Sequence, residues 1–163
     1  DSIGVLLDPL FSERKLRLEV EIAPPLETIR TDPRLFELVF KNLIENAGKF
    51  AFEGTPIRVE ALPGDTPDSS RWRVTDRGVG IPIHHQPRIF DRFYQVDTAR
   101  TGSSKRRGTG LGLAIVQNAV RALGGTIRVE SVWQQGTTMI VELPNTRVIN
   151  SPSRPSSQEA ASS

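Results

Sequence analysis

Asp32-Pro33-Arg34-Leu35-Phe36-Glu37-Leu38-Val39-Phe40-Lys41-Asn42-Leu43-Ile44-Glu45-Asn46-Ala47-Gly48-Lys49-Phe50 reads as one amphipathic helix. Asp32 is placed to cap it, and Pro33 stands at the first helical position, where a missing N–H does no harm. At about 100° per residue, Leu35, Leu38, Val39, Leu43 and Phe50 form a broad apolar face that must be covered by another layer. Asn42 and Asn46 fall near the centre of that face, with Lys49 beside them. A buried amide without partners costs about 1–3 kcal/mol, so two of them one turn apart need an account. Either both satisfy neighbouring backbone groups, or they line a polar channel that offers oxygens to a hard cation and Lys49 to a phosphate. Magnesium takes oxygen ligands and keeps several waters, so one amide oxygen plus substrate phosphates would suffice.

Around this helix lie five strand patterns. Leu16, Leu18, Val20 and Ile22 alternate with Arg17, Glu19 and Glu21, the period of a half-buried strand. The same alternation runs through residues 57–61, 72–75, 126–130 and 139–143, and Pro63 to Asp68 reads as a turn between two of these strands. One buried and one wet face predict a mixed, mostly antiparallel sheet. Two further helices are expected, a short one from Ile3 to Phe11 and another from about Gly110 to Leu123, stopped by Gly124-Gly125. Three helices on one face of the sheet make a two-layer α/β sandwich. Residues 1–144 are expected to be one domain, and the Ser- and Pro-rich residues 145–163 a flexible tail.

The bulk composition narrows the function classes. The formal charge of +2 is too slight to argue for nucleic acid or an anionic membrane as partner. Without cysteine there is no disulfide framework and no thiolate metal site. No apolar run approaches the roughly 18 residues of a membrane span. The chain begins at Asp1 rather than Met and is expected to be a fragment of a longer protein.

Two glycine motifs complete the pattern. Thr75-Asp76-Arg77-Gly78-Val79-Gly80-Ile81-Pro82 follows a strand directly. Its alternate glycines let backbone approach a flat ligand, and a carboxylate at a strand end can accept a hydrogen bond from an exocyclic amine. Read alone, it is equally an ordinary Asp-x-Gly turn. Gly108-Thr109-Gly110-Leu111-Gly112-Leu113 opens a helix, where free backbone N–H groups form an anion site. Its plainer reading is a hinge into a packed helix. The dinucleotide fingerprint is disfavoured because these glycines follow a long aperiodic stretch, Pro82 to Gly108, rather than a first strand. The Walker pattern is excluded because no Lys-Ser/Thr pair follows.

Taken in this order, the motifs resemble the catalytic ATP-binding domain of sensor histidine kinases. That superfamily also holds DNA gyrase, the heat-shock 90 chaperones and the MutL mismatch-repair ATPases. Leu38 to Phe50 looks like the N box, Asp76 to Gly80 the first glycine box, Arg88 to Tyr94 the F box and Gly108 to Gly112 the second glycine box. The resemblance spans roughly Leu16 to Pro144 and implies a Bergerat-type ATP-binding fold with ATP and Mg2+ as ligands. It implies that Asp76 accepts the adenine amino group, that Gly78, Gly80 and Ile81 shape the base pocket, and that Phe50 lies against the ring. Asn46 would bind the magnesium, with Asn42 and Lys49 close by as the other catalytic residues. Arg92 and Tyr94 join the ATP-binding set, and Gly108, Thr109, Gly110, Leu111 and Gly112 wrap the triphosphate. Gln95 to Arg107 would be a mobile lid over the nucleotide.

Within the superfamily, Asn42 argues for a kinase. The gyrase, chaperone and MutL branch carries a water-activating glutamate at this place, whereas an amide cannot take a proton. The acceptor is absent: His84 and His85 are adjacent, lie in no predicted helix and are followed by no acid, so they read as solvated loop residues. The implied partners are the dimerisation and phosphoacceptor domain of the same parent kinase and, downstream, the receiver domain of a response regulator. The implied location is the cytoplasm, free or as the cytoplasmic part of an inner-membrane sensor. Gln95 departs from the family, which often has a phosphate-reaching arginine there, and this keeps open a degenerate nucleotide- or partner-binding regulatory module. An anti-sigma-type serine kinase is the third alternative, against which the F box and long lid count.

Overall fold

The five alternating segments become one five-stranded sheet of order β1-β2-β3-β5-β4. The structure, a computed structural model, describes residues 11–23, 31–66, 68–94 and 112–144. The strands are β1 (Arg17–Ile22), β2 (Pro56–Pro63), β3 (Ser69–Asp76), β4 (Thr126–Val132) and β5 (Gly136–Pro144). β1 runs parallel to β2 and all other neighbours are antiparallel. The parallel pair needs a crossover, and helix α1 (Pro33–Phe50) lies between those two strands in sequence. Helix α2 (Gly112–Ala122) packs beside it.

Local signals set the helix ends. The Asp32 carboxylate accepts from the Arg34 N–H at 2.9 Å and the Leu35 N–H at 3.3 Å, a cap worth about 1 kcal/mol. After Leu123, Gly124 turns to φ +82. Gly125 N–H then donates to Val120 O and Gly124 N–H to Arg121 O, each at 2.9 Å, the paired bonds of a Schellman close. The expected helix from Ile3 lies outside the described residues, except that residues 11–14 are helical and Phe11 enters the core. The 145–163 tail also lies outside them.

The core sits between the helices and one sheet face. Ile57, Val59, Ala61, Trp72, Val74, Met139, Val141 and Leu143 supply the sheet side; Val39, Phe40, Leu43, Ile44, Val116 and Val120 supply the helix side. Phe36, Phe40 and Trp72 cluster with ring centroids 4.6 to 5.3 Å apart, and the Trp72 indole N–H donates to Ser70 Oγ at 2.8 Å. Two expectations change. The buried side of α1 is Val39, Phe40, Leu43, Ile44, Ala47 and Gly48, so Asn42 and Asn46 lie half-buried on its flank rather than at its centre. Phe40 and Ile44, which the expected face left out, are drawn into the core. Leu16, just before β1, is buried but Val20 within it is 53% exposed, on an edge strand, while α1 packs chiefly against β3 and β2.

Candidate functional site

The site begins where β3 ends. Asp76 is the last residue of β3 and is one of only two buried polar or charged residues in the described core. Its carboxylate accepts a backbone hydrogen bond from Thr137, while Oδ1 is buried without a partner. Burial raises its pKa from 3.8 to about 7, against the opposing pull of the Thr137 N–H. A half-satisfied buried carboxylate is an expensive feature. It is explained if a donor from a ligand meets Oδ1.

The backbone beyond Asp76 is joined to the end of α1. Ala51 and Gly78 form an isolated antiparallel bridge; Val79 N–H donates to Phe50 O at 3.1 Å and Phe52 N–H to Arg77 O at 2.7 Å. A Cβ at Gly78 would fall 2.1 Å from Phe50 O, and one at Gly80, itself at φ +72, would fall 2.2 Å from Val132 O. Close approach therefore explains both glycines. We expect Gly78→Ala to force these backbones apart at about 1–3 kcal/mol, lowering Tm by about 5 °C in a scan of the nucleotide-free protein. Gly54→Ala is the comparison: it has φ +82 but nothing within 4 Å. It should cost only the left-handed backbone penalty of about 1 kcal/mol. Equal losses would show that the Gly78 packing is not the cause.

Midway along α1, Asn42 meets the start of α2. Its amide donates to Leu38 O at 2.7 Å, leaving the oxygen directed towards Gly112, where a Cβ would lie 3.7 Å away. Asn46 and Lys49, both half-buried, follow along the same flank. Phe50 is half-buried and its carbonyl touches the first glycine box. The fold thus gathers Asn42, Gly112, Asn46, Lys49, Phe50, Asp76, Gly78, Gly80 and Ile81 along one flank of α1 and its exit. Gly108, Thr109, Gly110, Leu111, Gln95 and the expected lid lie outside the described residues.

Ile89 is buried and Phe90 packs on the core, whereas Phe93 is 66% exposed. Arg92 stacks over Phe93 with 5.5 Å from its guanidinium carbon to the ring centroid. Tyr94 is held by a hydrogen bond to His85 Nδ1 and by Arg88, 4.6 Å over its ring. No described contact joins Arg92 or Tyr94 to Asp76 or the asparagines. His84 and His85 sit on a 3-10 helix, Ile83–Arg88, and His85 is half-buried rather than solvated.

Sequence reasoning missed three residues. Thr137 and Ser131 face each other across β5 and β4, and Thr137 faces Asp76 across β3. Gln86 lies over them, donating to Ile81 O at 2.9 Å and Ser131 O at 3.2 Å. A signal existed: Ile127, Val129 and Ser131 share one face, as do Thr137, Met139, Val141 and Leu143, so a polar residue ends each apolar row.

Among the described residues no helix is long and apolar enough to cross a membrane, and no cluster of three His, Cys, Asp or Glu could hold a metal ion. The family described as histidine kinase-, DNA gyrase B- and HSP90-like ATPase matches residues 31–147. The sensor protein kinase WalK of Staphylococcus saprophyticus is 43% identical over 122 residues, 74% of this chain and 20% of that relative. The chain therefore spans about a fifth of the length of such relatives. Among solved structures, full-length ShkA in complex with AMPPNP superposes with TM-score 0.74 at 30% identity, over 88% of this chain and 28% of that one. The mycobacterial sensor histidine kinase MprB superposes with TM-score 0.67 at 26% identity, over 87% of this chain and 91% of that one.

Proposed function

Because the chain belongs to the histidine kinase-, DNA gyrase B- and HSP90-like ATPase family, as a catalytic ATP-binding domain of the sensor histidine kinase kind, we propose that it binds Mg-ATP and presents the γ-phosphoryl group to a histidine on the dimerisation domain of its parent kinase. The observation that carries this reading is the unpartnered oxygen of buried Asp76, at one end of a flank that continues through Asn46 to the Asn42–Gly112 contact. Asp76 is suited to accept the adenine amino group, and Gly78, Gly80 and Ile81 to bring backbone and apolar surface against the base. Asn46 supplies the amide oxygen for a magnesium ion, with Lys49 in the last turn of α1 as the nearby positive charge. When bound, Mg-ATP supplies a phosphoryl group whose developing charge the metal neutralises. Asn42 cannot act as a base, so water beside it is not activated. A receiver domain would then take the phosphoryl group from the histidine, in the cytoplasm.

Calorimetry with ADP tests the reading. Affinity should rise when Mg2+ is added, and Asn46→Asp should change that rise while leaving the magnesium-free affinity within about threefold. An unchanged magnesium response in the variant overturns the role of Asn46. No ADP binding by the unaltered chain overturns nucleotide binding altogether.

A further inference from the structure

The last inward-facing row of the sheet is polar. Asp76 on β3 stands beside Thr137 on β5, and Thr137 beside Ser131 on β4. The next row is Val74, Met139 and Val129, and the one after it Trp72, Val141 and Ile127. Among these three rows only the end one, next to the first glycine box, is polar; its residues are hydrogen-bonded in series through Thr137 and, by Ser131, to Ile81 just after that box.

Ser131 is the junction. Its hydroxyl donates to Gly136 O at 3.0 Å, accepts from the Ile81 N–H at 2.8 Å and meets Thr137 Oγ1 at 2.7 Å. A serine hydroxyl has one proton and two lone pairs. With the proton on Gly136 O and Ile81 N–H on one lone pair, the Thr137 hydroxyl must be the donor in the third contact. All three capacities are then used. Thr137 in turn gives its backbone N–H to the Asp76 carboxylate. On the outer side, the Gln86 amide bridges Ile81 O at 2.9 Å and Ser131 O at 3.2 Å. The hairpin turn after β4 adds Gln134 N–H to Val79 O at 2.6 Å, and Val132 O occupies the space a Cβ on Gly80 would need. The loop Gly78–Pro82 is therefore held from two directions: its first residues by the exit of α1, through the Ala51–Gly78 bridge and the Val79 N–H to Phe50 O bond, and Ile81 by β4 and by one glutamine of the 3-10 helix that leads into Ile89–Tyr94.

We propose that Ser131 and Gln86 are positioning residues for adenine recognition, clamping Ile81 from both sides so that the base pocket and the Asp76 carboxylate keep a fixed separation. This rests on the nucleotide-binding reading above. The clamp has a consequence for selectivity. Adenine presents an amino donor to Asp76, whereas guanine presents a carbonyl acceptor at the same edge, so discrimination depends on how closely the carboxylate is held to that edge. A loosened Ile81 lets the base shift and lowers the penalty on the wrong purine. The same bridge ties the base pocket to the 3-10 helix, so displacement of Ile83–Arg88 is felt at Ile81.

The test uses Ser131→Ala, Ser131→Thr and Gln86→Leu in the full chain, with three readouts: thermal melting, hydrogen exchange at the Ile81 amide without nucleotide, and affinity for ADP and GDP. Ser131→Ala and Gln86→Leu should each speed Ile81 exchange by about tenfold or more, since a bond to the amide or to its own carbonyl is lost. Ser131→Ala should weaken ADP about tenfold and shrink the ADP-over-GDP preference by a similar factor. Ser131→Thr, which keeps the hydroxyl, should restore both. A merely structural serine would lower Tm and weaken both nucleotides alike, and that result overturns the proposal. Unchanged Ile81 exchange in both Ser131→Ala and Gln86→Leu also overturns it. Failure of the unaltered chain to bind either nucleotide is the separate outcome that overturns the underlying reading as well.

Discussion

Asp76→Asn should weaken ADP binding by at least about a hundredfold and yet make the nucleotide-free protein more stable at pH 8. Both effects follow from one carboxylate. It takes the Thr137 N–H on one side and has Oδ1 unpartnered on the other. Asparagine has a single acceptor oxygen. If that oxygen keeps Thr137, the amide NH2 faces the adenine amino group, donor against donor, and the buried donors cost about 1–3 kcal/mol each. The hundredfold loss corresponds to about 2.7 kcal/mol.

The stability gain has the opposite origin. Desolvation raises the folded pKa to about 7 from 3.8, so the folded protein holds a proton that the unfolded chain has released. Stability is then greatest below pH 3.8, falls as pH rises, and levels off above 7, where the full desolvation of the carboxylate is felt. The difference is on the order of 4 kcal/mol, and the neutral asparagine escapes it. Melting curves of the two proteins should converge at acid pH and separate with pH up to about 8. Nucleotide binding at pH 7 should release a proton as Asp76 ionises to meet the amino group. The calorimetric enthalpy will then vary with the ionisation heat of the buffer, and this variation should vanish in Asp76→Asn. Retained ADP affinity in the variant, or melting curves that stay parallel across pH, would remove Asp76 from adenine recognition.

The sequence made the strand and helix content legible because its periods are clean. Asp32-Pro33 fixed the start of α1 and Gly124-Gly125 the end of α2, and both are local signals that tertiary contacts did not need to override. What resisted reading was the direction in which α1 faces. Counting Leu35, Leu38, Val39, Leu43 and Phe50 as the face put the asparagines at its centre; Val39 and Leu43 are buried, but Leu38 is 37% exposed and Phe40 is buried. The true face is set by the sheet, which prefers the larger aromatic and the small Ala47 and Gly48 against its strands. That change strengthens the chemical reading: amides on a flank beside a second helix are open to a ligand, whereas amides under a sheet would have to be consumed by backbone. Asp76 was legible by its place before the glycines. Ser131 and Thr137 were not, because a single polar residue closing an apolar alternation is also how an ordinary strand ends. Only the register, which no local pattern encodes, puts them in one row with Asp76. The contacts of Tyr94 were equally hidden, since its partners His85 and Arg88 lie within nine residues yet are brought together only by the 3-10 turn.

The second large effect concerns phosphoryl transfer. Given ATP labelled on the γ-phosphate, the chain by itself should incorporate no label and release phosphate very slowly. On the reading proposed above, Asn42 would offer an amide where hydrolysis needs a base, and its N–H is already committed to Leu38 O. Neither histidine is suited to accept. His85 Nδ1 is held by the Tyr94 hydroxyl, and His84 sits exposed on a short 3-10 helix, with no carboxylate following it to orient the ring. With the dimerisation domain of its parent kinase added, label should pass to that domain's histidine, giving a product lost in acid and kept in base. Asn46→Ala should lower the rate of this transfer by about a hundredfold or more, because positioning and charge neutralisation by the metal supply most of the acceleration in such reactions. Its melting temperature should stay close to that of the parent chain, since Asn46 is half-buried on the flank and makes no described hydrogen bond. Stoichiometric labelling of His84 or His85 in the chain alone would refute the absence of an internal acceptor. Undiminished transfer by Asn46→Ala would move the metal site elsewhere on α1. If the intact chain bound ADP but never labelled the partner domain, it would be a nucleotide-holding regulator instead, and the phosphoryl group would have no route from this site.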